Sequence, residues 1–328
     1  MHTGNHYKIK EFLVWTRRDI YVLIALASVP TVLYQLLDLH WIAIPWVPIA
    51  MIGTAAAFIV GFKNTQTYNR LWEARQIWGA IVNASRSWGI MTRDFVQTDH
   101  LIHRQLIYRH LGWLTALRFQ LRKPQPWENS SKPYNKEYRN FYSVPEWEGR
   151  LEDELKKYLS PEELEYLLNK KNRATQLIAL QSDHLKRLKQ SQTLDALEYI
   201  ELENLLTVLY EQQGKCERIK NFPYPRQFAS INLFFTWLFV ILLPLGMLNE
   251  FQKLGKEFVW LTIPFSVVVS WVFTSMEKVG EATENPFEGG ANDIPMAALS
   301  RNIEIDLRDM LDETELPSPL TAVNNILM

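Results

Sequence analysis

The sequence is short of cysteine, of net charge and of any repetitive or low-complexity tract. A single cysteine, Cys216, in 328 residues excludes an internal disulfide and fits a reducing compartment or indifference to redox. Lys+Arg number 35 against 36 Asp+Glu, so no global charge argues for nucleic acid as a partner. No phosphate-cradling glycine loop, nucleophile elbow or zinc-ligand spacing occurs. The chain is therefore read as a non-enzyme, with no cofactor and no metal site. The first nineteen residues mix charges and aromatics without a small-residue cleavage site after an apolar stretch, so no signal peptide is expected.

What is present in quantity is tryptophan, twelve of them, and apolar sequence gathered into blocks. The mean hydropathy of −0.15 resembles that of a soluble protein only because the blocks are averaged with charged sequence. Four runs, 20–39, 46–62, 231–248 and 258–276, meet or approach the roughly 17–25 residues that cross a bilayer. Trp41, Trp46 and Trp260 stand at their ends, where amphipathic rings concentrate at a membrane interface. Pro30, Pro244 and Pro264 fall inside the runs, which membrane helices tolerate when neighbours re-satisfy the freed carbonyls. Buried core helices of a soluble protein are the alternative, and four such runs with tryptophan at their ends would be odd there. The expected organisation is an N-terminal segment with two spans (1–62), a water-facing helical region (63–227), two further spans (228–276) and a C-terminal segment (277–328).

Basic residues set the orientation. Four Lys/Arg lie in 1–19, 26 in 63–227 and three in 277–328, against none after the first run and two after the third. Arg17, Arg18 and Lys63 hug the ends of the runs. Positive charge stays inside, so both termini and the middle region are expected to be cytoplasmic, in a multi-pass protein of the inner cell membrane.

Within 63–227, Ile77, Ile81, Ala84, Trp88 and Met91 repeat at four and three, the stripe of an amphipathic helix. Ser160-Pro161-Glu162-Glu163 is a helix start with a capping serine, proline at the first position and glutamate at the third. Residues 129–140 read as a polar loop, and Pro223 and Pro225 mark the return to the membrane.

The second run carries two stripes. Gly53, Ala57 and Gly61 recur every four residues, a small face for close helix packing. Thr54, Phe58 and Phe62 recur one position further round. Several copies about an axis would turn those rings into a narrow apolar constriction, the kind that gates ions by dewetting. Rings facing lipid would have the same periodicity.

Directly after this run comes GFKNTQTYNRLWEARQIWGAIVNASRSWG, residues 61–89. Together with Cys216-Glu217-Arg218-Ile219, Phe222-Pro223-Tyr224-Pro225, Glu284-Asn285-Pro286-Phe287, Asp293-Ile294-Pro295 and Arg301-Asn302-Ile303-Glu304-Ile305, it resembles the bestrophin family, its bacterial branch above all. The matches are in order and bracket all four runs. The resemblance implies an all-α fold with four transmembrane helices and a large helical cytosolic region, assembled as a homopentamer around one central pore. It implies passive conduction of small monovalent ions, chloride foremost, with a sodium- or potassium-conducting channel of the same fold as the alternative. The neck of such a pore falls on Thr54, Phe58 and Phe62, and threonine departs from the aliphatic or aromatic residue usual at the first position. A second aperture, sixteen residues before the matched cysteine, falls on Ile200. Independently, Leu202, Leu205, Leu206 and Leu209 form one face of that segment, with Ile200 roughly 160° away at about 100° per residue. Animal members build a calcium clasp from consecutive aspartates after the NPF motif. Here only Asn285 and Asp293 remain as plausible ligands, too few for the six to eight oxygens that calcium takes, so no calcium gating of that kind is expected.

Other groups are set aside. His100 and His103 lack third and fourth ligands and read as a solvated helix face. Glu162, Glu163 and Glu165 read as capping and surface charge, and Cys216 as packing. Arg70, Glu73 and Arg75 read as a ring at the pore mouth or as an intersubunit network. A secondary transporter would want ionisable groups at mid-membrane, which the runs lack. A membrane-anchored scaffold remains open.

Overall fold

The computed structural model describes residues 1–97 and 99–328. Among these the chain forms twelve α-helices, and its extended pairing is confined to isolated bridges. It divides into two compact units, one of residues 4–70 and 223–284, the other of residues 1–3, 71–222 and 285–328.

The first unit gathers the apolar helices: α1 (Ile9–Leu36), the opening part of α2 (Trp46–Phe95), α10 (Arg226–Gln252) and α11 (Thr262–Thr283). Four stretches, Ile9–Leu36, His40–Phe95, Arg226–Gln252 and Lys256–Thr283, are long and apolar enough to cross a membrane. The helices outrun the apolar runs that announce them. α1 begins at Ile9 rather than at residue 20, and α2 continues unbroken for 50 residues. Hydropathy marks where a helix is greasy, whereas helix ends are set by caps and breakers, and no proline lies between Pro48 and Pro124. Pro30 is accommodated inside α1, where the neighbouring Thr31 hydroxyl donates 2.7 Å back to the Ala27 carbonyl. Pro264 sits in the first turn of α11, where its missing N–H would be unpaired in any case. α11 packs against both α1 and α10.

The second unit is built on the remainder of α2, with α3 (His100–Leu121), α8 (Arg173–Gln190), α9 (Ala196–Asn221) and α12 (Met296–Asp309). The sequence stripe on α2 is its inner face: Ile77, Ile81, Ala84 and Trp88 are buried, joined by Trp78. They share one core with Leu106, Leu114 and Leu117 of α3 and Leu202, Leu206 and Leu209 of α9. Trp78, Trp88 and Trp113 are among the largest side chains completely enclosed, and truncating any one to alanine costs about 3–5 kcal/mol. α7 (Pro161–Leu168) starts as expected, with the Ser160 hydroxyl accepting from Glu163 N and the Glu163 carboxylate accepting from Ser160 N.

Residues 129–140 are not a loop throughout. Two 3-10 turns, Asn129–Ser131 and Arg139–Phe141, flank the short helix α4 (Pro133–Tyr138). Pro133 occupies the first helical position, where it starts a helix instead of forbidding one. The histidine pair lies at the surface, His100 exposed and His103 half-buried, and each ring also has a backbone partner: His100 Nε2 lies 2.9 Å from the Leu311 carbonyl and His103 Nε2 2.7 Å from that of Val96. Glu163 does more than cap, since it also takes the buried guanidinium of Arg109 at 2.5 Å. The first residues and the chain's last segment pair with each other, Thr3 N donating to Asn325 O at 2.7 Å and Leu327 N to Met1 O at 2.9 Å.

Candidate pore-lining face

The spacing that singles out the second span also decides which of its faces is covered by the chain itself. Ile49, Gly53, Ala56, Val60, Lys63 and Thr67 are buried, and Ile49 and Ala56 pack in one cluster with Phe239 and Leu243 of α10. Thr54, Phe58 and Phe62 lie on the other side, with Phe58 77% and Phe62 47% exposed. Only 17% of the most apolar window of this stretch is buried, against 44% for α10, so α2 leaves more bare apolar surface than its own chain covers.

The small-residue stripe is only partly a packing face within the chain. A Cβ on Gly53 would stand 2.5 Å from Phe239 Cε2, whereas one on Gly61 would meet nothing within 4 Å. Ala57 is exposed as well. The face presented outward therefore mixes small residues with the two phenylalanines, and Thr54 closes it at the upper end. The Thr54 hydroxyl is turned to its own helix, donating 2.9 Å to Ala50 O, which leaves the methyl and the oxygen lone pairs as its outer surface. Phe228, in the first turn of α10, adds a ring 6.3 Å from that of Phe62. Sequence reasoning missed it because the apolar run on α10 was read as starting at residue 231.

Below the aromatic rings α2 is held by polar contacts. Lys63 Nζ meets Glu277 Oε1 at 2.8 Å, and Asn232 Nδ2 lies 3.4 Å from the same oxygen. Asn64 Nδ2 donates to the Met276 carbonyl at 3.1 Å, and the hydroxyls of Thr67 and Thr283 stand 3.0 Å apart. α1 is tied to α11 by Lys278 and Asp19 at 2.6 Å.

Ile200 belongs to the other unit and is described there. It is half exposed on α9, flanked by exposed Asn204 and Thr207, on the side away from Leu202, Leu206 and Leu209. Glu73 pairs with Arg218 of α9 within this unit. Arg75 Nη1 lies 3.9 Å from the Met1 sulfur. Cys216 is wholly buried and its thiol is pushed up by desolvation, which makes it a packing residue and not a nucleophile.

Asp293 is buried with Arg122 Nη1 3.3 Å away and Gly289 N donating to it at 2.7 Å. Desolvation raises its pKa to about 6, the Arg122 guanidinium and the Gly289 and Gly290 amides opposing the rise. Asn285 donates toward Glu288 at 3.4 Å. Among the described residues no group of three or more His, Cys, Asp or Glu is arranged to hold a metal ion.

The family described as bacterial/fungal bestrophin protein matches residues 15–309. The chain is 28% identical over 276 residues to the voltage-dependent anion channel-forming protein YneE of Escherichia coli K12, covering 83% of this chain and 79% of that one. To the voltage-dependent anion channel-forming protein RSc3414 of Ralstonia nicotianae it is 27% identical over 292 residues, 86% of this chain and 84% of that one. Its fold resembles the crystal structure of a bacterial bestrophin homologue from Klebsiella pneumoniae with a TM-score of 0.77 at 24% identity, covering 90% of this chain and 98% of that one.

Proposed function

The chain belongs to the bacterial and fungal bestrophin family, and from that premise we propose that it is a passive, homopentameric anion channel of the inner cell membrane with both termini in the cytoplasm. The observation that carries this reading is the outward face of α2, where Thr54, Phe58 and Phe62 are left bare by a span that its own chain covers least. Copies of that face around an axis close a neck of phenylalanine rings, whose positive edges suit an anion. Its width and dryness, with no charged residue on it, set the barrier. Ile200, bare on the polar side of α9, supplies the second aperture in the cytosolic region. The curated relatives named as anion channel-forming proteins support chloride over sodium or potassium as the conducted ion. Lipid covers what the copies do not.

Bilayer recordings on the purified protein under a chloride gradient test this directly. Unitary currents that reverse near the chloride equilibrium potential are expected. Reversal at the sodium or potassium potential makes it a cation channel of the same fold; slow saturable flux makes it a transporter; silence leaves a scaffold. If Phe58→Ala with Phe62→Ala, and separately Ile200→Ala, leave conductance and selectivity unchanged, the pore assignment falls.

A further inference from the structure

In the water-facing unit, a cavity of about 240 Å³ opens between the C-terminal end of α3, α6 (Leu151–Leu155) and the start of α8. Four cationic side chains, Arg122, Lys123, Lys171 and Arg173, line it together with the carboxylate of Glu146. The carboxylate is already neutralised from outside the cavity wall, since Glu146 Oε1 takes Arg118 Nη1 at 2.7 Å. Arg122 is in turn balanced by Asp293 at 3.3 Å. What remains is an excess of positive charge: Lys123, Lys171 and Arg173 have no carboxylate within 4 Å among the described residues. The guanidinium of Arg173 is held in place by the Leu167 and Leu168 carbonyls at 3.3 and 3.2 Å, neutral partners that fix the group without cancelling its charge.

Glu146 is also held by Arg122, whose Nε lies 3.5 Å from Glu146 Oε2 with both side chains only 1% exposed, so this carboxylate is matched by two guanidiniums and cancels none of the remaining cations. Phe119, Trp147 and Leu151 give the cavity an apolar wall, which suits a small ring or short hydrocarbon stem. Gln120, also on the wall, is engaged with Glu217 at 2.8 Å.

We propose that this cavity binds a small soluble phosphate monoester, its phosphate among Lys123, Lys171 and Arg173 and its apolar part on Phe119 and Trp147. A monoester at neutral pH carries nearly two negative charges and three acceptor oxygens, matching three cations that have no carboxylate partner. A cavity of this size takes one ring and a phosphate but not a pair of acyl chains.

The probe is phenyl phosphate, titrated calorimetrically into the detergent-purified full chain at low salt. Saturable binding of one probe per chain is expected, at least about tenfold tighter than inorganic phosphate and weakened about tenfold or more by Lys123→Ala with Lys171→Ala. Both lysines are exposed, so the variant keeps its fold, which its unchanged melting temperature verifies. Absence of saturable heat overturns the proposal, as does a double variant that binds like the wild type. Tighter binding of short-chain phosphatidic acid than of phenyl phosphate overturns the soluble ligand in favour of a lipid headgroup. None of these readouts depends on conduction.

Discussion

Lys63 and Glu277 form an ion pair at 2.8 Å in which the lysine side chain is 4% and the glutamate 14% exposed. The pair fastens α2 to α11 one position after Phe62. An ion pair at this depth owes its existence to both partners, because removing one strands the other in a medium that cannot solvate it.

Lys63→Met is therefore expected to destabilise the protein by about 3–5 kcal/mol, read as a drop in the melting temperature of the purified protein. Adding Glu277→Leu to it should recover most of the loss. If the double variant is no better than the single, the pair is not the unit that holds the helix.

Gly53 and Gly61 look equivalent in sequence and are opposites in the fold. Gly53→Ala drives a methyl into the ring of Phe239, and overpacking of this kind costs about 1–3 kcal/mol, relieved by Phe239→Leu. Gly61→Ala meets nothing in its own chain and removes a glycine from a helix interior, so the fold should be no less stable while single-channel conductance shifts. A destabilisation by Gly61→Ala as large as that by Gly53→Ala would show that copies pack on Gly61.

Much of this was legible from periodicity. The inner stripe of α2, the leucine face of α9 and the outward position of Ile200 all follow from 3.6 residues per turn, because a helix with one apolar side has little choice about which side it buries. The capping box at Ser160 is likewise local chemistry. Illegible were the contacts that join residues far apart in the chain: Lys63 with Glu277, Arg109 with Glu163, Arg122 with Asp293. Each partner alone looks like ordinary surface charge. Helix ends were also misplaced wherever hydropathy stood in for caps, which is how Phe228 escaped notice beside Phe62.

His110 makes the stability of the unit built on α3, α8 and α9 acid-sensitive. It is buried between Trp88 and Trp113 and lies 2.9 Å from the Ser85 hydroxyl. Ser85 gives its proton to the Ile81 carbonyl at 2.7 Å, so His110 Nε2 carries the hydrogen and donates. Desolvation lowers its pKa from 6.5 to about 3. The unfolded chain thus binds a proton below about 6.5 that the folded chain refuses, and stability falls as pH drops from there toward 3. The expected slope is about 1.4 kcal/mol per pH unit from this one group. His110→Gln should flatten the melting temperature between pH 6.5 and 5; an unaltered slope would assign the acid sensitivity to other groups.

Thr54 offers a test of the proposed neck that leaves the fold alone. Its side chain faces outward and its hydroxyl proton is spent on Ala50 within the same helix, so Thr54→Val removes one oxygen while keeping the shape and leaving the buried face of α2 untouched. In a neck whose barrier is dewetting, that oxygen is a place for water to hold on above the Phe58 ring. Its loss in every copy should lower unitary conductance several-fold, and Thr54→Ser should preserve it. The melting temperature serves as the control and should not move. A Thr54→Val channel that conducts like the wild type would mean that the constriction starts at Phe58, and that the upper ring belongs to the vestibule instead of the barrier.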